Sequence, residues 1–253
     1  MSDVFLLLEP HIYGFFAIFF RVSAFVAMMP GFGAASVSVR IKLGLALAFT
    51  FIVYPVVPWR AEPDWDLVRL AQLLGTETLA GFLLGIGLRL LLMGLQTAGT
   101  IAAQATSLSQ VFGAAGVEPM PAMGHVLMVG GIALAMLTGL HVKAIELFVA
   151  SYGLFPPGLA AAGSGVAEWG IAQVAHAFQL AFSLAMPFIV LSMLYNLALG
   201  VINKAMPQLM VAFVGAPAIT LGGLVLLLAA APVMLEVWHD ALDAYLANPL
   251  AVR

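Results

Sequence analysis

The chain has 253 residues, of which 63% are hydrophobic and 8% charged, with a formal net charge of −3 and a mean hydropathy of +1.10. Soluble domains carry about 25% charge, and nine Lys plus Arg with twelve Asp plus Glu cannot cover a water-facing surface, so a soluble monomer is excluded and the surroundings must be lipid or other protein. With no basic cluster the chain is no nucleic-acid binder, and with no cysteine disulfide scaffolds and thiolate chemistry are excluded.

Residues 1–9 carry Asp3 and Glu9 and no base, unlike the cationic start of a cleaved secretion leader, so the first apolar stretch is expected to stay in the protein. Six apolar runs follow, at about 12–29, 41–57, 67–98, 126–150, 171–202 and 209–238. Each is near or above the roughly 20 residues that cross a bilayer. The pattern predicts an all-α, polytopic helical membrane protein, one helical domain over residues 1–253. The third, fifth and sixth runs exceed one straight span and contain Gly81, Gly85 and Gly87, then Pro187, then Gly215, Pro217 and Pro232. Proline removes a backbone hydrogen bond that lipid cannot replace, so broken helices or hairpins are expected there.

The connections suggest an orientation. Trp59 and Trp65 flank an acidic loop with Glu62, Asp64 and Asp66, Trp169 opens the fifth run, and Trp238 closes the sixth. If the runs alternate in direction, all four Trp share the N-terminal side, where an aromatic belt would sit. The opposite side has Arg40, Lys42 and Lys204 against Glu118 alone, and positive-inside reasoning turns that side toward the cytoplasm.

Arg21, Glu77, Arg89, Lys143 and Glu146 fall inside the runs, where a charge facing lipid costs about 2.5 to 3.5 kcal/mol on insertion scales. Lys143 and Glu146 are spaced to meet on one helix face. For the others three readings stand: an ion pair across a helix interface, a proton relay or substrate site near the midplane, or snorkelling of Arg21 and Arg89 to an edge. Small pairs such as Gly81 with Gly85, or Ala181 with Ala185, permit close helix approach.

Enzyme signatures such as His-Glu-x-x-His, Gly-x-Ser-x-Gly or a Walker glycine loop are missing. His239, Asp240 and Asp243 form one acid and imidazole cluster, read as a solvated helix end rather than a metal site. No cofactor and no metal are implied. Residues 104–121, QATSLSQVFGAAGVEPMP, are too polar for a lipid-facing span and too apolar for an ordinary solvated loop. Such a segment, with Ser107, Leu108, Gln110, Phe112, Gly113, Gly116, Glu118 and Pro119, reads as a pore plug or re-entrant loop, or as a plain connection.

Three blocks carry a resemblance. Residues 21–48 read RVSAFVAMMPGFGAASVSVRIKLGLALA and hold Pro30, Gly33 and Arg40. Residues 141–158 read HVKAIELFVASYGLFPPG, with His141, Ser151 and Pro156. Residues 196–223 read NLALGVINKAMPQLMVAFVGAPAITLGG, with Asn196, Gly200, Lys204, Pro207, Gln208, Gly215 and Pro217. Together and in this order they resemble the FliR/SctT family of type III secretion export gates, over essentially the whole chain. Ser38 stands where the family usually has Pro, Lys204 where it usually has Arg, and no acidic residue lies near Ala103.

The resemblance implies a non-enzymatic subunit of the flagellar export gate, in the bacterial inner membrane at the flagellar basal body. Its partners would be FliP-like and FliQ-like subunits and a FlhB-like subunit, besides membrane lipid. Its substrates would be unfolded flagellar proteins. The family pattern further implies a FliP-like part over 1–168 with a plug loop at about 104–121, then a FliQ-like hairpin and tail over 169–253, with much of the apolar mass held by neighbouring subunits. Arg21, Glu77, Arg89, Lys143, Glu146 and Lys204 are the candidates for ion pairs within the chain or its assembly. The alternative is a secondary transporter of a small solute with Arg21, Glu77 or Arg89 at its site; an intramembrane enzyme lacks a catalytic constellation.

Overall fold

With so few polar side chains available, each apolar run must satisfy its own peptide groups, which an α-helix does within one segment. The computed structural model describes residues 2–57, 66–106, 122–158, 163–206 and 211–251. Among the described residues there are seven α-helices and no strand: α1 Ser2–Met28, α2 Val39–Val53, α3 Leu67–Thr106, α4 Ala122–Leu137, α5 Leu140–Leu154, α6 Gly163–Ala205 and α7 Val211–Ala247. Four helices are long and apolar enough to cross a membrane, or five spans if α4 and α5 count as one bent pair. The chain is therefore an all-α polytopic membrane protein.

The interruptions fall elsewhere than the glycines and prolines suggest. Helix α3 runs unbroken for 40 residues, α6 for 43 through Pro187, and α7 for 37 through Pro217 and Pro232. Each proline deletes one amide donor, but the helical bonds on either side hold the segment. The fourth run is the one that divides. Gly139 takes the left-handed φ of +83° that a side-chain-bearing residue resists, ending α4 and starting α5.

The described chain packs as two compact units, one of residues 1–90, 136–173 and 242–253, the other of 91–135 and 174–241. In the first, α2 packs against α1 and α5. Its core holds Ile18, Val22 and Phe25 of α1, Val53 of α2, Leu84 and Leu88 of α3, and Phe148 of α5, all buried; Phe25 and Phe148 meet edge to face at 4.6 Å. The glycines of α3 belong to this packing rather than to a break. A Cβ at Gly81 would strike the Arg21 backbone, one at Gly85 would strike Met28, and one at Gly87 the Tyr245 ring. The Tyr245 hydroxyl donates to the Leu84 carbonyl at 2.8 Å.

In the second unit Leu91, Leu95 and Ala98 of α3 bury with Leu127 of α4, Ala181, Ala185 and Phe188 of α6, and Trp238 of α7. Trp238 is 0% exposed and its indole donates to the Leu91 carbonyl at 2.9 Å, so it does not sit in a membrane-edge belt. The indole is large, and burying it with its one donor satisfied is worth more than leaving it at an interface. The unit's helices close on small residues: Gly99 lies on Gly124, and Gly131 on Leu95 and Trp238.

The glycines of α3 give a paired test. Gly75→Ala adds a methyl where nothing lies within 4 Å and should hold or raise thermal stability in detergent, by up to about 1 kcal/mol of helix propensity. Gly81→Ala forces α1 and α3 apart and should lower both melting temperature and membrane abundance. Equal behaviour of the two variants would refute the close approach at Gly81.

Candidate functional site

Arg21 lies in the middle of apolar α1 and is 1% exposed. Its charge is met by Glu77 of α3, 0% exposed, through two parallel bonds, Nε to Oε2 at 2.7 Å and Nη2 to Oε1 at 3.0 Å. Such fork-to-fork pairing is the strong geometry for a guanidinium and a carboxylate. The remaining donors are also used. Nη1 donates to Ser151 Oγ at 3.0 Å and Nη2 to the Phe155 carbonyl at 2.8 Å, while Ser151 donates onward to the Phe148 carbonyl at 2.7 Å. The Tyr152 ring lies under the guanidinium, 3.8 Å from Cζ to centroid, an attraction that desolvation strengthens.

The arrangement ties three helices to one cation. Ser151 and Phe155 belong to the last turn of α5 and its C-terminal cap, where carbonyls lack helical partners, so Arg21 also finishes that helix. Buried to this degree, the pair neither snorkels to an edge nor faces a solute. Chemically it holds helices together and neutralises charge.

The other candidates scatter. Lys143 bonds both carboxylate oxygens of Asp243, at 2.7 and 2.8 Å, not the Glu146 one turn along its own helix; it joins α5 to the end of α7. This pair is about one third exposed on the Lys side and more on the Asp side, so it is worth a fraction of the buried one. Glu146 is exposed on α5, and Arg89 is exposed on α3 with its Nη1 3.7 Å from Met28 Sδ. Lys204 is exposed in the last turn of α6, where an ammonium complements the helix C-terminus.

Of the three sequence blocks, the first is a turn after α1. Gly33 donates to the Met29 carbonyl, and its own carbonyl accepts from Lys42 Nζ at 3.0 Å. A Cβ there would collide with the Ala27 and Met29 carbonyls. Pro30 is buried, and Arg40 is exposed at the start of α2. In the second block Ser151 joins the Arg21 network, whereas His141 and Pro156 are exposed. In the third, Asn196 bonds Ser192 at 3.3 Å, Gly200 faces open space, and Gly215 packs against Tyr195; Pro217 is exposed inside α7. Pro207, Gln208 and residues 107–121 of the plug-loop candidate lie outside the described residues, while its first residues, 104–106, form the end of α3. Outside the spans, Tyr54 bonds His11 Nδ1 at 2.7 Å, and burial pushes its phenol above the usual tyrosine range, which keeps the hydroxyl protonated.

Tyr152 and Asp243 escaped the sequence reading as partners of Arg21 and Lys143. Tyr152 directly follows Ser151 at the end of α5, so its ring lies beside the hydroxyl that the Arg21 network already uses. Asp243 is 100 residues from its lysine.

A double-mutant cycle tests the clamp. Glu77→Leu leaves the Arg21 cation buried and uncompensated and should cost about 3 to 5 kcal/mol, read as lost membrane abundance and lower melting temperature. Combining Arg21→Met with Glu77→Leu should recover much of that loss, because the charge and its counter-charge leave together. Additive losses would show that the two residues act independently.

A family model described as bacterial export proteins, family 1, matches residues 12–245. The flagellar biosynthetic protein FliR of Caulobacter vibrioides is 34% identical over 226 residues, 88% of this chain and 90% of that protein. The FliR of Escherichia coli is 29% identical over 223 residues, covering 85% and 82%, and that of Aquifex aeolicus 28% identical over 218 residues, covering 85% and 84%. Export proteins of this kind with several apolar spans reside in the bacterial inner membrane. The chain belongs to the bacterial export proteins, family 1.

Proposed function

We propose that this chain is a non-enzymatic subunit of the flagellar type III export gate. It assembles with FliP-like and FliQ-like subunits, beside a FlhB-like one, into the channel that passes unfolded flagellar proteins across the inner membrane. The observation that carries this reading is helix length. At 1.5 Å per residue, α3, α6 and α7 are about 60, 65 and 55 Å long, whereas the hydrocarbon core is about 30 Å thick. Yet apolar residues stay exposed along them, among them Leu67 and Val68 on α3, Ile171 and Leu197 on α6, and Leu228 and Val233 on α7. Lipid covers only part of such helices, so other subunits must cover the rest.

The names of the relatives supply the system, and the α6–α7 hairpin supports a FliQ-like portion over 169–253. Helix α6 ends at Ala205 and α7 begins at Val211, with Gly215 seated on Tyr195. Residues 1–168 form the FliP-like part. The segment 104–121 is the plug, its Phe112 and paired glycines suited to a seal that must also open. The carrier alternative loses its strongest site, since Arg21 and Glu77 satisfy each other out of reach of a solute.

The chain should co-purify with FliP-like and FliQ-like subunits encoded in the same genome, and isolation as a stable monomer active in solute uptake would overturn the proposal. In that complex, deleting residues 112–116 should make the closed gate conduct ions; unchanged conductance would sink the plug assignment. Lys204→Glu places an acid where the assembly expects a base, and should abolish swimming while the chain itself still inserts. A fully motile Lys204→Glu strain would argue that the residue faces no partner charge.

A further inference from the structure

Arg89 sits on α3 about one and a half turns beyond the buried Leu84, in the same apolar helix that hides Glu77. Among the described residues its polar contact is the Met28 sulfur at 3.7 Å, a weak acceptor that leaves the positive charge uncompensated. No carboxylate among the described residues pairs with it. A guanidinium in apolar surroundings calls for a counter-charge, and none of the described residues supplies one to Arg89.

The neighbouring surface says what kind of molecule. On α3 the outward positions of the first unit are Gln72, Gly75, Leu79, Phe82, Ile86 and Arg89, spaced alternately by three and four residues. That 3.5-residue repeat is the seam along which one helix receives another at a shallow angle. At Gly75 the seam opens into a groove of about 490 Å³ bounded by Phe20, Leu74, Thr78, Leu79 and Phe82, Thr78 keeping its hydroxyl on the Leu74 carbonyl, and nothing lies within 4 Å of the missing Cβ. A lipid phosphate is the other available anion, but lipid headgroups are held by clusters of bases. Arg89 is solitary: Arg69, the other base on this stretch of α3, lies about 30 Å away along the helix axis.

We infer that the α3 seam of the first unit is a docking surface for an apolar helix of another subunit, one that carries an Asp or Glu to pair with Arg89. The apolar residues of that helix fill the groove at Gly75 and lie along Leu79 and Phe82, and its carboxylate takes the two-pronged geometry that Glu77 takes on Arg21. This rests on the proposal that the chain works inside a multi-subunit gate, and adds to it a surface, a register and a charge.

The test uses the full chain expressed in membranes with its partner subunits. A photoreactive phenylalanine analogue at Phe82 should cross-link to a single partner subunit, at a site within about two helical turns of an Asp or Glu. Arg89→Glu should lower recovery of that subunit about tenfold or more, and changing the identified acid to Lys should restore it. A Phe82 adduct with lipid alone, an adduct with a second copy of this chain (whose exposed Glu146 could supply the acid), or wild-type recovery of Arg89→Glu would each overturn the inference while leaving the gate proposal standing. Failure of the unsubstituted chain to co-purify with any subunit would take down both.

Discussion

An arginine in the middle of an apolar helix has to be answered in full, in charge and in N–H donors, before the helix can stay where its sequence puts it. Arg21 is answered by Glu77, Ser151, Phe155 and the Tyr152 ring, and much of the first unit follows from that. Helices α1, α3 and α5 must converge on one point. At that point α3 has Gly81, whose missing side chain lets its backbone reach the Arg21 carbonyl. One turn on, Gly85 does the same beside Phe25 and Met28. Charge neutralisation sets where the helices meet, and small residues set how closely.

The clamp also orders the building of the chain. Glu77 is 56 residues beyond Arg21 and Ser151 is 130 beyond, so α1 enters the membrane with a charge whose partners have not yet been made. Until α3 arrives, the guanidinium must borrow water or headgroups, as long side chains near an edge can. Once α5 is in place Ser151 and Phe155 take up the remaining donors, and the end of α5 is capped by the same cation. The three helices are thus coupled: a defect in any one leaves a buried polar group in each of the others.

The sequence made the helices legible and left their interruptions hidden. Six apolar runs correspond to α1, α2, α3, the α4–α5 pair, α6 and α7, because in apolar surroundings hydrophobic length alone dictates helix. Gly81, Gly85 and Gly87 look like weak points only when read along the chain; across it they are contact surfaces. Pro187, Pro217 and Pro232 sit inside continuous helices for want of any better place for the flanking amides to bond. Gly139 is the true break, and no proline marks it; Thr138, His141 and Lys143 around it are the only polar signal. Among the charged residues, composition identifies Arg21 and Glu77 as needing partners but cannot choose them, since the choice depends on which helices pack. Lys143 illustrates the error this permits: Glu146 lies one turn away in sequence, but Asp243, seen in sequence as part of a solvated end, lies within 2.7 Å.

Arg21 and Arg89 carry the same chemistry in the same kind of helix and have opposite fates. The first is enclosed at 1% exposure with a full set of partners, and so belongs to the folding of the chain itself. The second stands outward on a seam with a sulfur for company. Exposed Leu79 and Phe82 would be unremarkable beside lipid, and an isolated arginine would be tolerable beside water, but no single solvent suits both. A protein helix that is apolar along one face and acidic at one position does suit both. On the gate proposal, surplus apolar length and an unanswered charge are two signs of one condition: neighbouring subunits complete the fold, and the residues the chain leaves unsatisfied mark where they attach.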